Sequence, residues 1–217
     1  MNRKERFAKE FEEDWFLDGL SQLPIRLRTA FSAASSERQY DLYEQWATSN
    51  SQVTHTDEVR KILDTLWLCI LDDVQVPVDE LNGYAERLAD GSLGPIADNP
   101  VDIASGSVYA ENCVASIAYT CLSLTEDKPL NAMWAGRREG ETIDFYIEHE
   151  YGITMEEKDE QQYARRLDVT MSYLALRRKD LSELLAVREQ STGDQRKIIE
   201  VIRQRSVQTR LIFSSHD

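Results

Sequence analysis

No apolar run in this 217-residue sequence is long enough to span a bilayer, and the opening MNRKERFAKEFEEDWF lacks the apolar centre of a secretory signal. The expectation is a soluble, cytoplasmic protein that does not bind membranes. Glycine and proline are scarce, at 9 and 5 residues, which argues against a turn-rich sandwich or barrel. Cysteine occurs three times (Cys69, Cys113, Cys121), an odd number without CxxC spacing. That pattern fits reduced thiols rather than a disulfide scaffold. Cys113 and Cys121 stand eight apart on one helical face, too far for a disulfide, and no histidine lies near them in sequence. The three histidines (His55, His149, His216) fall in a loop, at a helix end and near the terminus, and no HExxH occurs. Metal sites need ligands held on rigid elements, so surface positions are the simpler expectation. G-x-S-x-G, Walker and G-x-G-x-x-G patterns are absent. No catalytic residue, cofactor or metal is therefore assigned, and the reading is of a non-enzyme.

What the sequence has in excess is acid. The net charge is −14, and it is uneven. Residues 70–160 carry 20 acids against 5 bases, whereas residues 161–210 carry 6 acids against 11 bases. Such a field repels nucleic acid and anionic lipid and attracts cationic partners. The basic last helix, with Arg196, Lys197, Arg203, Arg205 and Arg210, is expected to pair internally with the acidic middle rather than with phosphate.

Hydrophobic period is helical nearly throughout. The segment Lys4 to Leu20 places Phe7, Phe11 and Trp15 at four-residue steps. A helix capped by Ser21, with Pro24 in its first turn, carries Leu23, Leu27, Ala30, Phe31 and Ala34 and runs on through Arg38, Leu42, Tyr43 and Trp46. Another, capped by Thr56 or Asp57, carries Val59, Ile62, Leu63, Leu66, Trp67, Ile70 and Leu71. Residues 72–105 are irregular and acidic, with one short helix around Leu81 to Leu88. Ser107 to Leu124 reads as a central helix with small residues opposite its apolar seam. Two shorter helices follow, Leu130 to Arg138 and Glu141 to Glu150. A long helix, Met155 to Gln190, has Tyr163, Leu167, Met171, Leu174, Leu181 and Leu185 as its seam. The run Ser191-Thr192-Gly193-Asp194 caps the last, Gln195 to Arg210. The expected fold is all-α: one helical bundle of about seven to nine helices over 1–217, with no linker and no repeat.

Two acidic patches are candidates for binding a partner. The first is Asp144, Glu148, Glu150, Tyr151, Glu156 and Glu157, where aromatic anchors stand among charges that steer a basic protein. Asp72, Asp73, Asp79 and Glu80 form the second. Asp144 and Glu148, one turn apart, with Glu156, Glu157 and Glu160, offer an alternative: paired carboxylates on facing helices, as in all-helical Mg²⁺ nucleotide hydrolases. A third reading is a homodimer whose seam is Phe7, Phe11, Trp15 and Phe16.

The run Leu23-Pro24-Ile25-Arg26-Leu27-Arg28-Thr29-Ala30-Phe31, followed by Ser36-Glu37-Arg38-Gln39-Tyr40-Asp41-Leu42-Tyr43, resembles the opening of the bacterial YjaG-like family. Val59 to Trp67 resembles its Leu-x-x-x-Trp helix, and Tyr109 to Tyr119 its central small-residue helix. The resemblance covers residues 20–155, leaving an N-terminal helix (1–20) before it and a C-terminal helix pair (156–217) after it. Ser35 and Ser36 stand where the family often has a cysteine. The family is a helical domain of unknown function, so the resemblance implies a fold and no catalytic residue. Glu37 and Arg38 are expected to be ion-paired and to fix helix packing. Size, acid excess and the absence of a catalytic motif together point to an immunity- or antitoxin-type inhibitor that blocks a basic bacterial toxin.

Overall fold

The computed structural model describes residues 3–95, 106–154 and 159–211. Among these residues there are nine helices and no strand: α1 (Arg3–Glu10), α2 (Glu13–Ser21), α3 (Ile25–Ser49), α4 (Val53–Asp72), α5 (Val78–Ala89), α6 (Ser107–Thr125), α7 (Pro129–Tyr151), α8 (Glu160–Val187) and α9 (Thr192–Gln208). The fold is the expected all-helical bundle.

α3 is its axis. Pro24, extended at ψ 158°, supplies the N-cap, and no glycine or proline interrupts the next 25 residues. Every residue from Leu27 to Tyr40 is buried, because α4, α6, α7, α8 and α9 all pack against it. The α3–α6 seam is built of small polar side chains. The Ser36 hydroxyl lies 2.9 Å from that of Ser116 and 3.1 Å from that of Thr120, and Thr29 lies 3.2 Å from Ser123. Short side chains let the two backbones approach, and each hydroxyl finds a partner without water.

Several boundaries differ from expectation for local reasons. The N-terminal segment is two helices, because Glu12 takes a left-handed φ of 56°. The break turns Phe7, Phe11 and Phe16 inward, where all three are buried, so they are not a dimer seam; only Trp15 of that set is exposed. Ser21 donates to the Leu17 carbonyl instead of capping α3. α4 begins at Val53, ahead of the expected cap. α7 is one helix, not two, and it runs straight through Gly136 and Gly140. Those glycines permit close packing: a Cβ on Gly140 would stand 2.9 Å from the Phe11 ring and 3.3 Å from that of Phe7. Ser191 caps α9 by accepting from the Asp194 N–H, as expected.

Glycines in α5 and α7 therefore respond oppositely to one added methyl. A Cβ on Gly83 would meet nothing within 4 Å, so Gly83→Ala raises stability by about 1 kcal/mol through helix propensity alone. Gly140→Ala overpacks against stacked rings and lowers it by about 1–3 kcal/mol. Urea unfolding of both variants checks this, and the same sign for the two would refute the packing account.

Candidate functional site

The middle of the chain builds a groove of about 620 Å³ over α6. Its floor is one face of that helix: Val114, Ala115, Ala118, Tyr119 and Leu122 recur at helical spacing. α5 forms one wall with Asn82, Ala85, Leu88 and Ala89, and Arg138 of α7 stands opposite. Three carboxylates line it with them: Glu86 on α5, Glu111 in the second turn of α6, and Glu126 just past its end. Arg138 is held by Glu141 at 2.7 Å, which leaves the rim acidic. Among the described residues Glu86 and Glu111 join no ion pair, and Glu126 contacts Lys128 at 3.1 Å. The Asn131 and Lys128 side chains hold the Glu126 carboxyl below its ordinary pKa. An apolar trough of this size with a few charged groups at its edge has the make-up of a binding site.

Many of the basic residues of the C-terminal segment are engaged by carboxylates away from this face. Arg205 donates to Asp180 (2.6 Å) and to Glu183 (2.8 Å). Arg210 binds Asp41 at 2.8 Å and also Glu37. Arg203 reaches Asp64 at 3.4 Å, and Arg196 lies 2.7 Å from Asp72. The pairing is internal but not with the acidic middle as expected: of these partners only Asp72 lies in residues 70–160, the others being on α3, α4 and α8.

The positions expected to bind a partner are dispersed. Asp144 is 4% exposed, and its carboxylate accepts from Arg166, itself fully buried, at 2.5 Å. It is a structural counter-ion and presents no charge to a partner; nor is it free to ligate a cation beside Glu148. Glu148 and Glu150 are half-buried near the end of α7, with His149 Nδ1 3.2 Å from Glu150. Tyr151 packs edge-on to Tyr146 and lies under the Arg165 guanidinium at 4.6 Å. Glu156 and Glu157 lie outside the described residues. In the second patch, Asp72 pairs with Arg196, Asp73 ends α4 in a left-handed turn at φ 52°, and Glu80 accepts from the Tyr84 hydroxyl. Asp79 and Glu80 are exposed in the first turn of α5, the helix that walls the groove. Among the described residues no three His, Cys, Asp or Glu side chains are grouped to hold a metal ion. Burial lifts the Cys121 thiol to about 12 and that of Cys113 still higher, so neither is a nucleophile near neutral pH.

Glu37 and Arg38 are buried and ion-paired, as expected, though not with each other. Arg38 Nε donates to Glu139 (2.5 Å) and Nη1 to Asp180 (2.8 Å). Glu37 accepts from Arg60 at 2.8 and 3.0 Å, from Trp67 Nε1 at 3.1 Å, and from Arg210.

Residue-type patterning hid the groove. Glu86, Glu111, Tyr119, Glu126 and Arg138 were not distinguishable as a set, because they lie on three helices. The signal present was the run Glu111, Ala115, Ala118, Tyr119, Leu122 and Glu126 at three- and four-residue steps, which resembles a second buried face. No protein-family model, curated protein or solved structure matches the chain.

Proposed function

We propose that this chain is a non-enzymatic protein-binding module, an acidic inhibitor of the immunity or antitoxin type that covers the cationic active site of a basic toxin. The observation that carries the reading is the groove over α6, apolar along its floor and lined by Glu86, Glu111 and Glu126, on a chain of net charge −14. Carboxylates at the rim steer a cationic partner and fix its register, while the floor supplies the apolar contact that slows dissociation. Asp79 and Glu80 extend the acidic field along α5. Membership of residues 20–155 in the YjaG-like family is proposed on the sequence alone and adds no activity.

The test separates the groove from the overall field. Glu86→Lys, Glu111→Lys and Glu126→Lys are combined in one variant, and Asp57→Lys, Asp168→Lys and Glu189→Lys, all at exposed positions elsewhere, in a second of equal net charge. A basic protein captured from native lysate at low salt is expected to associate about tenfold or more slowly with the first variant than with the second. Equal slowing in both would reduce the effect to net charge and remove the groove from the proposal.

A further inference from the structure

The occupant of the groove follows from the backbone hydrogen bonds an incoming segment would need. An extended peptide laid over Ala85, Ala89, Ala115 and Ala118 would bring its N–H and C=O groups against side chains with nothing to offer them, and among the described residues there is no strand edge to pair with. Unsatisfied backbone groups over an apolar surface are costly. A helix arrives with those groups already bonded to itself. The floor is also shaped for one, since small side chains on two neighbouring helices let a third axis approach to the usual 8–10 Å.

Charge sets the length and the chemistry. Glu111 and Glu126 lie at opposite ends of the α6 face, 15 residues apart in the chain, and so about 22 Å apart along it. Four turns of helix span that distance. We infer that the groove receives an amphipathic helix of about four turns, with leucine-like side chains on one face and Lys or Arg toward each end. This rests on the proposed protein-binding role of the groove. A second copy of this chain does not fit: it shares the net charge of −14, and its basic α9 spends Arg196, Arg203 and Arg205 on internal pairs.

Two synthetic peptides of about 16 residues test the inference, one of leucine and lysine at helical spacing, the other of the same composition interrupted by two central prolines. Binding is measured by calorimetry to the full chain and to Ala89→Trp and Ala115→Trp, which fill the groove from different walls. The expected result is binding of the helical peptide about tenfold tighter than the interrupted one, lost in either filled variant while the fold is kept by circular dichroism. Equal binding of both peptides, weakened by filling, would overturn the helix inference and leave the groove as a protein-binding site. Equal binding to filled and unfilled chains would overturn the groove reading as well. Absence of binding by either peptide overturns the helix inference alone, since the charge-reversal experiment decides the other.

Discussion

Replacing Arg38 by methionine is expected to lower stability by about 3–5 kcal/mol, whereas the same change at Arg177 leaves it unchanged or raises it by about 1 kcal/mol. Both arginines are buried on facing helices, and both lie beside Glu139. Arg38 meets Glu139 and Asp180 with directed hydrogen bonds, so its loss leaves buried Glu139 without a hydrogen-bonded cation and Asp180 with Arg205 alone. Burial already pushes the Asp180 carboxyl up in spite of Arg38 and Arg205, and without Arg38 that penalty is less opposed. Arg177 is 3.8 Å from Glu139, and neither its Nε nor its Nη1 has a hydrogen-bond partner among the described residues. Burial lowers its pKa to about 10 against the pull of Glu139, the mark of a cation that gains less from its neighbours than it lost in leaving water. Its guanidinium is held over the Phe16 ring at 4.3 Å, in space kept open by Gly136, and a methionine can keep that apolar contact. Removing it leaves Glu139 bound to Arg38 and Glu13 within 3.3 Å of Arg137. Urea midpoints with unchanged slopes would establish the contrast; equal losses would show that Arg177 compensates charge as fully as Arg38 does.

Glu37→Gln is expected to cost about 3 kcal/mol at neutral pH and to flatten the loss of stability in acid. Glu37 ties α3 to α4 through Arg60 and Trp67, and to the end of α9 through Arg210. An amide offers one acceptor oxygen where two are used, and turns its NH₂ toward donors. Burial raises the Glu37 carboxyl, but hydrogen bonds from Arg60 and Arg210 outweigh it, and the pKa lies below the ordinary 4.5. With the folded value depressed, this contribution is complete above the unfolded value and is lost as pH falls through the folded one. Asp180 runs the other way. Its raised pKa makes the folded state bind a proton more tightly, so its contribution falls as pH rises through that value. The wild-type slope sums these two with other shifted carboxylates, Glu13 and Glu126 among them, and subtracting the Glu37→Gln curve isolates the Glu37 contribution. Parallel curves from neutral to acid pH would show that Glu37 is not the group that titrates.

Helical period made most of the fold legible, and it failed where polar groups were buried. The seam of α8 shows why. The pattern pointed to Tyr163, Leu167 and Met171, yet Met171 is exposed and the buried line runs through Arg166, Thr170, Leu174, Arg177 and Leu181. Arginine and aspartate read as solvent-facing in any composition-based argument, and their partners on α1, α3 and α7 lie too far along the chain to be anticipated. In α3 the expected stripe of Leu27, Ala30, Phe31 and Ala34 is only part of what is buried: every residue from Leu27 to Tyr40 is covered, by five neighbouring helices. The candidate site was legible only as a sign of charge. That the middle of the chain is acidic could be counted; that Glu86, Glu111 and Glu126 share one groove depends on how α5 settles on α6.

The ion pairs of α3 also bear on when this protein can fold. Arg38 waits for carboxylates that follow it by 101 and 142 residues, and Glu37 for an arginine 173 residues on. Leu211 closes the same region by donating to the Arg38 carbonyl at 2.7 Å. On a translating ribosome the helix at the centre of the bundle therefore emerges long before all of its buried charges can be paired, although Arg60 follows Glu37 by only 23 residues. At about 5–20 residues per second, the interval is on the order of ten seconds or more. Until residue 210 is free, burying α3 would strand a carboxylate without one of its cations. The order of synthesis thus leaves the central helix without its full set of charge partners until the residues of α8 and those following α9 have emerged.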